Sequence, residues 1–273
     1  MSFDPEAVRT FEHAGWQGAA AEYNATFAQA TAPFAEPLLD AAFVKVGMKV
    51  LDLCCGTGVV AAAAARRNAS VLGVDFSAAM LREARRAHPE LHFDEANAEG
   101  LPYPDASFDS VVSNFGVHHV PRPVKALAES LRVLWPGGRV AATTWAAPTE
   151  NIAWGLLFDA IREHGDPDAA KTPPSGGGLG TPDAMLRLFR EAGFADVWAE
   201  PVRREWRVAN PREIVAALSH GTVRTAALIA AQPVAARPAI EAAIVRAAQT
   251  FRRGNNFVVP IVAILASGTK SPG

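Results

Sequence analysis

Two spacings of apolar residues alternate through the first half of the chain. Short apolar runs of strand length fall at Lys49 to Leu53, Ser70 to Val74, Leu91 to Phe93, Ser110 to Ser113 and Arg139 to Thr144. Between them, Gly58 to Arg67, Ala78 to Ala87 and Val124 to Leu134 carry apolar residues three and four apart, the spacing of one helix face. The "PGG" at Pro136 to Gly138 is expected to stop the last of these helices, because proline cannot continue a helix and glycine readily leaves it. Strands alternating with helices predict a parallel sheet covered on both faces, since parallel neighbours need a crossover connection. Ligands of such sheets sit beyond the carboxyl ends of the strands.

The flanks read differently. "FEHAGWQGAAAEYNATFAQATAPFAEPLLDAA" has apolar and aromatic residues at helical spacing, so residues 1–45 are expected to form an N-terminal helical lid. After Trp145 comes a helix from Asn151 to His164, then "GDPDAAKTPPSGGGLGTP", whose glycines and prolines predict a mobile connection. "DAMLRLFREAGF" is an amphipathic helix closed by Gly193, and strands are expected at Asp196 to Glu200 and Arg204 to Val208. Pro211 to Phe251 is Ala-rich and wholly helical in pattern, and residues 211–253 are read as an inserted substrate cap. The run Phe257 to Ala266 returns to the sheet, where Pro260 requires a strand start or an unpaired position. The fold expected is α/β: a doubly wound, Rossmann-like core with a mostly parallel seven-stranded sheet, built from residues 46–210 and 254–268, carrying the lid and the cap.

Composition narrows the partners. A chain of 273 residues with 49% hydrophobic side chains can bury a full core, and a net charge of −2 provides no basic field for nucleic acid, so a small molecule is the expected partner. Cys54 and Cys55 are adjacent and are read as thiols in a reducing compartment, without the companion ligands of a zinc site. The N-terminus lacks the basic start and apolar run of a signal peptide, and no stretch offers the roughly 20 apolar residues of a membrane span, so a cytoplasmic location with no membrane partner is expected.

The richest local signal is "VLDLCCGTGVVA", Val50 to Ala61, an apolar strand breaking into a glycine turn and a helix. Gly56, Gly58 and Ala61 satisfy G-x-G-x-x-A, with Asp75 at the tip of the next strand. Glycines let backbone approach a ligand, the helix start offers free N–H groups, and an acid at that tip accepts hydrogens from both ribose hydroxyls. A nicotinamide dinucleotide is one candidate. Asp52, just ahead of the turn, would oppose a pyrophosphate but welcome a cationic ligand end, as in S-adenosylmethionine.

Four ordered segments, "VLDLCCGTG", "VLGVDFSAAML", "EANAEGLPYPDASFDSVVSNFG" and "ESLRVLWPGGRV", resemble the class I S-adenosylmethionine-dependent methyltransferases, closest to the ubiquinone/menaquinone C-methyltransferase-like group, from about Tyr23 to Trp145. The resemblance implies that Asp52 and the backbone around Gly56 and Gly58 hold the methionine part of the cofactor and that Asp75 holds the ribose. It implies that Phe76 and Met80 flank the adenine and that Asn97 and Ala98 meet its edge. Asn114 would lie near the sulfonium, and Tyr23 would close over it. Cys54 stands where many members have glycine and narrows the turn.

Methyl transfer is an in-line displacement, and a base is needed only if the acceptor must lose a proton. "GVHHVPRP" puts His118 and His119 just past the fourth strand, as a base or as a loop cap bonded to backbone. His13 and Trp16 share the lid stripe with Tyr23, and His220 belongs to the cap, at a helix end or facing substrate. Asp105 and Asp109 in "PDASFD" are assigned turn and capping contacts, and no metal is expected. "SNFG" stands where methyltransferases of planar amines carry an Asn-Pro-Pro-Tyr-like run. The reading is methylation, at carbon or oxygen, of a small hydrophobic or aromatic metabolite such as a quinone, phenol or polyketide-like compound. The alternatives are a non-methylating cofactor binder or cyclase on the same fold, and an NAD(P)-dependent oxidoreductase.

Overall fold

The computed structural model describes residues 3–173 and 178–272. Its strands are β1 (Lys49–Leu53), β2 (Ser70–Asp75), β3 (His92–Glu95), β4 (Phe108–Asn114), β5 (Leu134–Trp145), β6 (Ala195–Val208), β7 (Arg252–Arg253) and β8 (Asn256–Thr269). They form one sheet in the order β3-β2-β1-β4-β5-β8-β6, with the short β7 beside β8. β1 to β5 are parallel, whereas β8 runs antiparallel to both β5 and β6. The expected α/β class and largely parallel sheet are therefore present.

Helices α1 (Pro5–Tyr23), α2 (Ala28–Thr31) and α3 (Ala35–Ala41) precede the sheet, and α4 (Val59–Arg66), α5 (Ala78–Ala87) and α6 (Pro123–Val133) cross between its parallel strands. Side chains alternate across the pleat. Val50, Val112, Ala141 and Leu265 pack with Leu38 and Leu39 of α3 and Val60 and Ala63 of α4. Their neighbours Leu51, Val111, Val140 and Ile264 pack on the opposite face with Leu127 and Val133 of α6 and with Leu188 and Phe189. Each such buried aliphatic contributes about 1.5 to 3 kcal/mol of transfer free energy, so burial on both faces fixes the register of the central strands.

Helix starts follow local chemistry. Asp4 accepts the N–H of Glu6 ahead of Pro5, and Ser77 accepts that of Met80, satisfying donors that a helix N-terminus leaves open.

Beyond β5 lie α7 (Ile152–His164), α8 (Pro182–Glu191), α9 (Arg212–His220), α10 (Arg224–Ala231) and α11 (Arg237–Ala248). Helices α9 to α11 lie in the connection between β6 and β8. Ile214, Leu218, Ile240 and Ile244 pack there with Leu157 and Ile161 of α7 and with Trp206, Val259 and Ile261 of the outer halves of β6 and β8. No single helix among the described residues is long and apolar enough to cross a membrane. Of the connection expected to be mobile, residues 174–177 lie outside the described residues.

Two local expectations change and one holds. The two strands expected at Asp196 to Glu200 and Arg204 to Val208 are one continuous β6, with Pro201 opposite Ile264. β6 is the edge of the sheet, where the N–H that proline lacks is not needed by a second neighbour. Pro260 sits inside β8 opposite Glu205, but β5 joins β8 only from Ala263 onward, so one flank of Pro260 is unpaired as required. The helix before "PGG" ends at Val133, and Leu134 already pairs with Phe108, so "PGG" forms an irregularity inside β5 rather than the stop of α6.

Candidate active site

β1 delivers the chain to a tight turn in which Cys54, Gly56 and Gly58 all have positive φ, at 57°, 54° and 83°. A Cβ on Gly56 would meet nothing within 4 Å, because the space above it is a cavity. One on Gly58 would lie 2.9 Å from the Phe93 ring, so this glycine serves the packing of α4 against β3. Cys54 holds the left-handed conformation at a cost of about 1–2 kcal/mol, which accounts for the glycine common in the sequences it resembles. Both cysteines are free, and burial, reinforced by Asp75 and Asp52, pushes their thiols well above the ordinary range.

The cavity, of about 350 Å³, opens at the carboxyl ends of β1, β2, β4 and β5. All the expected site residues line it except Asp52 and Gly58. Asp52 shares the face of Val50, beneath α4, and its carboxylate accepts the Ala61 N–H at 2.9 Å. Burial pushes that carboxyl up to about 8, against the Ala61 hydrogen bond and with help from Asp75. The expectation that Asp52 meets the ligand directly is thus corrected: the pleat aims it at the first turn of α4.

One end of the cavity is polar. Asp75 accepts from the N–H groups of Gly56 and Ser77, both at 2.9 Å, and burial outweighs these bonds to raise its carboxyl to about 6. Phe76 and Met80 follow it on the wall. Asn97 spends its side-chain oxygen on the Glu99 N–H at 2.9 Å, which leaves its amide nitrogen as the donor beside Ala98. Asn114 is held at both ends, donating to the Thr31 carbonyl at 3.1 Å and accepting from Thr143 Oγ1 at 2.7 Å. Tyr23 pairs its hydroxyl with Thr31 Oγ1 at 3.1 Å, and burial pushes the phenol up to about 12.

The other end is aromatic, and its composition was not legible in the sequence. Phe115 and Trp145 stack with centroids 3.8 Å apart, Trp154 tilts over Trp145 at 4.5 Å, and Phe27 meets both tryptophans edge-on at 5.8 Å. His118 and His119 line the same cavity, with the His119 ring against Trp16. Burial, with His119 and Arg224 nearby, pushes His118 well below the ordinary histidine range, and among the described residues its buried Nδ1 has no partner. His119 Nδ1 lies 2.9 Å from Glu12 Oε2, and Arg224 donates to Glu12 Oε1 at 2.7 Å. Burial acts to raise the fully buried Glu12 carboxyl, but His119 and Arg224 together outweigh it and hold it below the usual range. The signal available for Glu12 was its register: Val8, Glu12 and Ala19 share the buried face of α1, so an acid occupies an apolar position.

A second buried acid, Glu99, receives Arg9 and Arg122 and ties α1 to the loop after β4. Trp16 packs edge-on against His119, and His13 against Phe76. His220 is an exposed residue in the last turn of α9 and does not line the cavity. Asp109 accepts the Lys49 N–H and Asp105 pairs with Arg132, both away from the cavity. Among the described residues, no group of three His, Cys, Asp or Glu is arranged to hold a metal ion.

A family model described as "Methyltransferase domain" matches residues 51–142. A demethylmenaquinone methyltransferase of Paenarthrobacter aurescens is 38% identical over 170 residues, 59% of this chain and 67% of that protein. One from Renibacterium salmoninarum is 39% identical over 112 residues, 41% of this chain and 47% of that protein. The chain thus spans under half the length of several curated relatives it matches. Among solved structures, a putative methyltransferase from an antibiotic biosynthesis pathway of Anabaena variabilis shares the fold with a TM-score of 0.61 and 19% identity, over 85% of this chain and 96% of that one.

Proposed function

This chain belongs to the class I S-adenosylmethionine-dependent methyltransferases, and on that premise we propose that it methylates a carbon or oxygen of a small hydroxylated aromatic, of the quinol or phenol class. The observation that carries the acceptor reading is the cavity itself: a polar end suited to a nucleoside, a flat aromatic end, and His119 on the wall of the same cavity.

The residues present fit the cofactor. Asp75 gives each oxygen to one N–H and keeps lone pairs for two ribose hydroxyls, since an ionised carboxylate offers about four acceptor sites. Gly56 and Cys54 would meet the methionine part through backbone, Phe76 and Met80 would flank the adenine, and Asn97 Nδ2 with Ala98 would meet its edge. Asn114 and Tyr23 close the site above. When bound, the cofactor supplies an electrophilic methyl group carried on a sulfonium.

The chain's own work is alignment, exclusion of water and management of one proton. Phe115, Trp145, Trp154 and Phe27 present ring faces and edges that hold a planar acceptor. His119 takes the acceptor's hydroxyl proton, and His118, kept neutral by burial, lines the same wall without competing for that proton. The helical segment 211–253 serves as a substrate cap and residues 1–45 as a lid, since Thr222, Val223, Arg224 and Tyr23 all reach the cavity. The relatives named for demethylmenaquinone support the quinol member of the acceptor class.

The test is transfer of an isotopically labelled methyl group from S-adenosylmethionine to a panel of hydroxylated quinones, phenols and polyketide-like aromatics, read by mass spectrometry. A labelled quinol or phenol is expected. Bound S-adenosylhomocysteine with no product anywhere in the panel would overturn the acceptor reading in favour of a non-methylating use of the fold.

A further inference from the structure

Behind His119 and Arg224 of the cavity wall lies a buried acid that takes no part in holding cofactor or acceptor. Glu12 is fully buried in α1, and an unpaired carboxylate there would cost several kcal/mol. Both its oxygens are engaged, Oε2 by His119 Nδ1 and Oε1 by Arg224 Nε, and Arg224 is anchored in turn by donating to the Pro173 carbonyl at 2.8 Å. The three partners lie far apart in sequence: Glu12 in the N-terminal helix, His119 after β4, and Arg224 at the start of α10.

We propose that Glu12 is the positioning residue of His119: it keeps the imidazole proton on Nδ1 and leaves Nε2 unprotonated toward the cavity, in a constellation assembled only when α1 and α10 are docked together. The proposal rests on the reading of His119 as the group that takes the acceptor's proton.

An ionised carboxylate only accepts hydrogen bonds, so the nitrogen 2.9 Å from Oε2 carries the hydrogen, and a neutral ring then has its lone pair on the other nitrogen. Among the described residues His119 Nε2 has no hydrogen-bond partner, and the ring lines the cavity. Trp16, edge-on at 4.9 Å, and His118, tilted at 4.1 Å, hold the ring in place. The charged and titratable groups facing His119 are Glu12 from α1, Arg224 from α10, His118 from its own turn and Asp75 from the end of β2. In the step this serves, the acceptor's O–H bond breaks, an Nε2–H bond forms, the electron pair stays on oxygen, and the imidazolium lies against Glu12. Arg224 keeps Glu12 ionised between turnovers and pins it from the far side.

The test needs no acceptor. Nitrogen-15 NMR of the histidine-labelled full chain, with His119→Asn to assign the signal, reads the tautomer directly. The wild type is expected to show His119 protonated on Nδ1, and Glu12→Gln, whose amide can donate as well as accept, is expected to show mixed tautomers while binding S-adenosylhomocysteine as the wild type does. Hydrogen exchange of α1 in Arg224→Gln tests the docking, with faster exchange expected. A wild-type ring protonated on Nε2, or α1 exchange unchanged in Arg224→Gln, overturns the proposal whatever the protein methylates. The expected tautomers supported in a protein that labels none of the panel would instead sink only the acceptor reading. With a productive acceptor, Glu12→Gln is expected to lower kcat about a hundredfold with little change in KM, and Glu12→Asp to recover part of it.

Discussion

Gly15 of α1 meets Val223, the residue that opens α10, with no space for one more carbon: a Cβ on Gly15 would lie 2.3 Å from Val223 Cγ1. Alanine in place of a mid-helix glycine ordinarily gains about 0.5–1 kcal/mol. Here the stiff, β-branched Val223 cannot turn away cheaply, and overpacking costs about 1–3 kcal/mol, so the steric term wins. Gly15→Ala is expected to lower Tm or loosen α1, seen as faster hydrogen exchange and weaker S-adenosylhomocysteine binding. A variant as stable and as tight-binding as the wild type would mean that α1 is not held against α10.

Asp75 is expected to carry the largest share of cofactor recognition. Removing charge-assisted hydrogen bonds of this kind costs about 1.5–3 kcal/mol, or roughly 10- to 150-fold in Kd. Calorimetry with S-adenosylhomocysteine should therefore show that loss in Asp75→Ala, and a smaller one in Asp75→Asn. Unchanged affinity would remove Asp75 from the ribose site.

His119→Ala should reduce turnover about a hundredfold or more and leave S-adenosylhomocysteine affinity alone, as expected of a group that moves a proton without holding the cofactor. Full activity would transfer attention to His118 or to an acceptor that needs no base.

Burial raises Asp52 to about 8 from an ordinary value near 4. The folded chain therefore binds a proton there that the unfolded chain has released, and this contribution to stability is present at low pH and lost as pH rises from about 4 to 8. Asp52→Asn removes the effect. Thermal unfolding across that range should show the wild type losing stability relative to Asp52→Asn as pH increases; parallel curves would mean that Asp52 is ionised in the folded chain.

Cys54→Gly should be tolerated, because relief of the left-handed conformation offsets the lost side chain. Cys54→Val should destabilise, since a β-branched residue is a poor occupant of positive φ. Both thiols, raised by burial, should resist maleimide until the protein unfolds, and labelling of the folded protein at the unfolding-independent rate of a free thiol would contradict this.

The central sheet could be read from the chain because its strands are buried on both faces and so appear as unbroken apolar runs. Between Glu200 and Arg204 the case is opposite: on the edge strand Pro201 interrupts the apolar pattern without interrupting the ladder. Asp52 was legible in identity but not in direction, although the alternation with Leu51 and Leu53 already assigns it to the face of Val50. The residues that line the polar end of the cavity lie in ordered motifs, so the sequence places them on adjoining strand tips and turns. The aromatic end is assembled from Phe27, Phe115, Trp145 and Trp154, on separate elements, and Glu12 meets Arg224 across most of the chain, so no local spacing joins these partners, although Glu12 by itself stands out as an acid on an apolar helix face.

Val208 and Phe257 stand opposite each other on β6 and β8, so α9 to α11 leave the sheet and re-enter it at adjacent points. The whole segment is thus tethered like a detachable tool head: a plain hairpin could close the same gap without rethreading any strand. On the proposed reading of that segment as the substrate cap, its exchange between chains of this architecture offers a route by which acceptor choice can diverge while the cofactor end stays as it is.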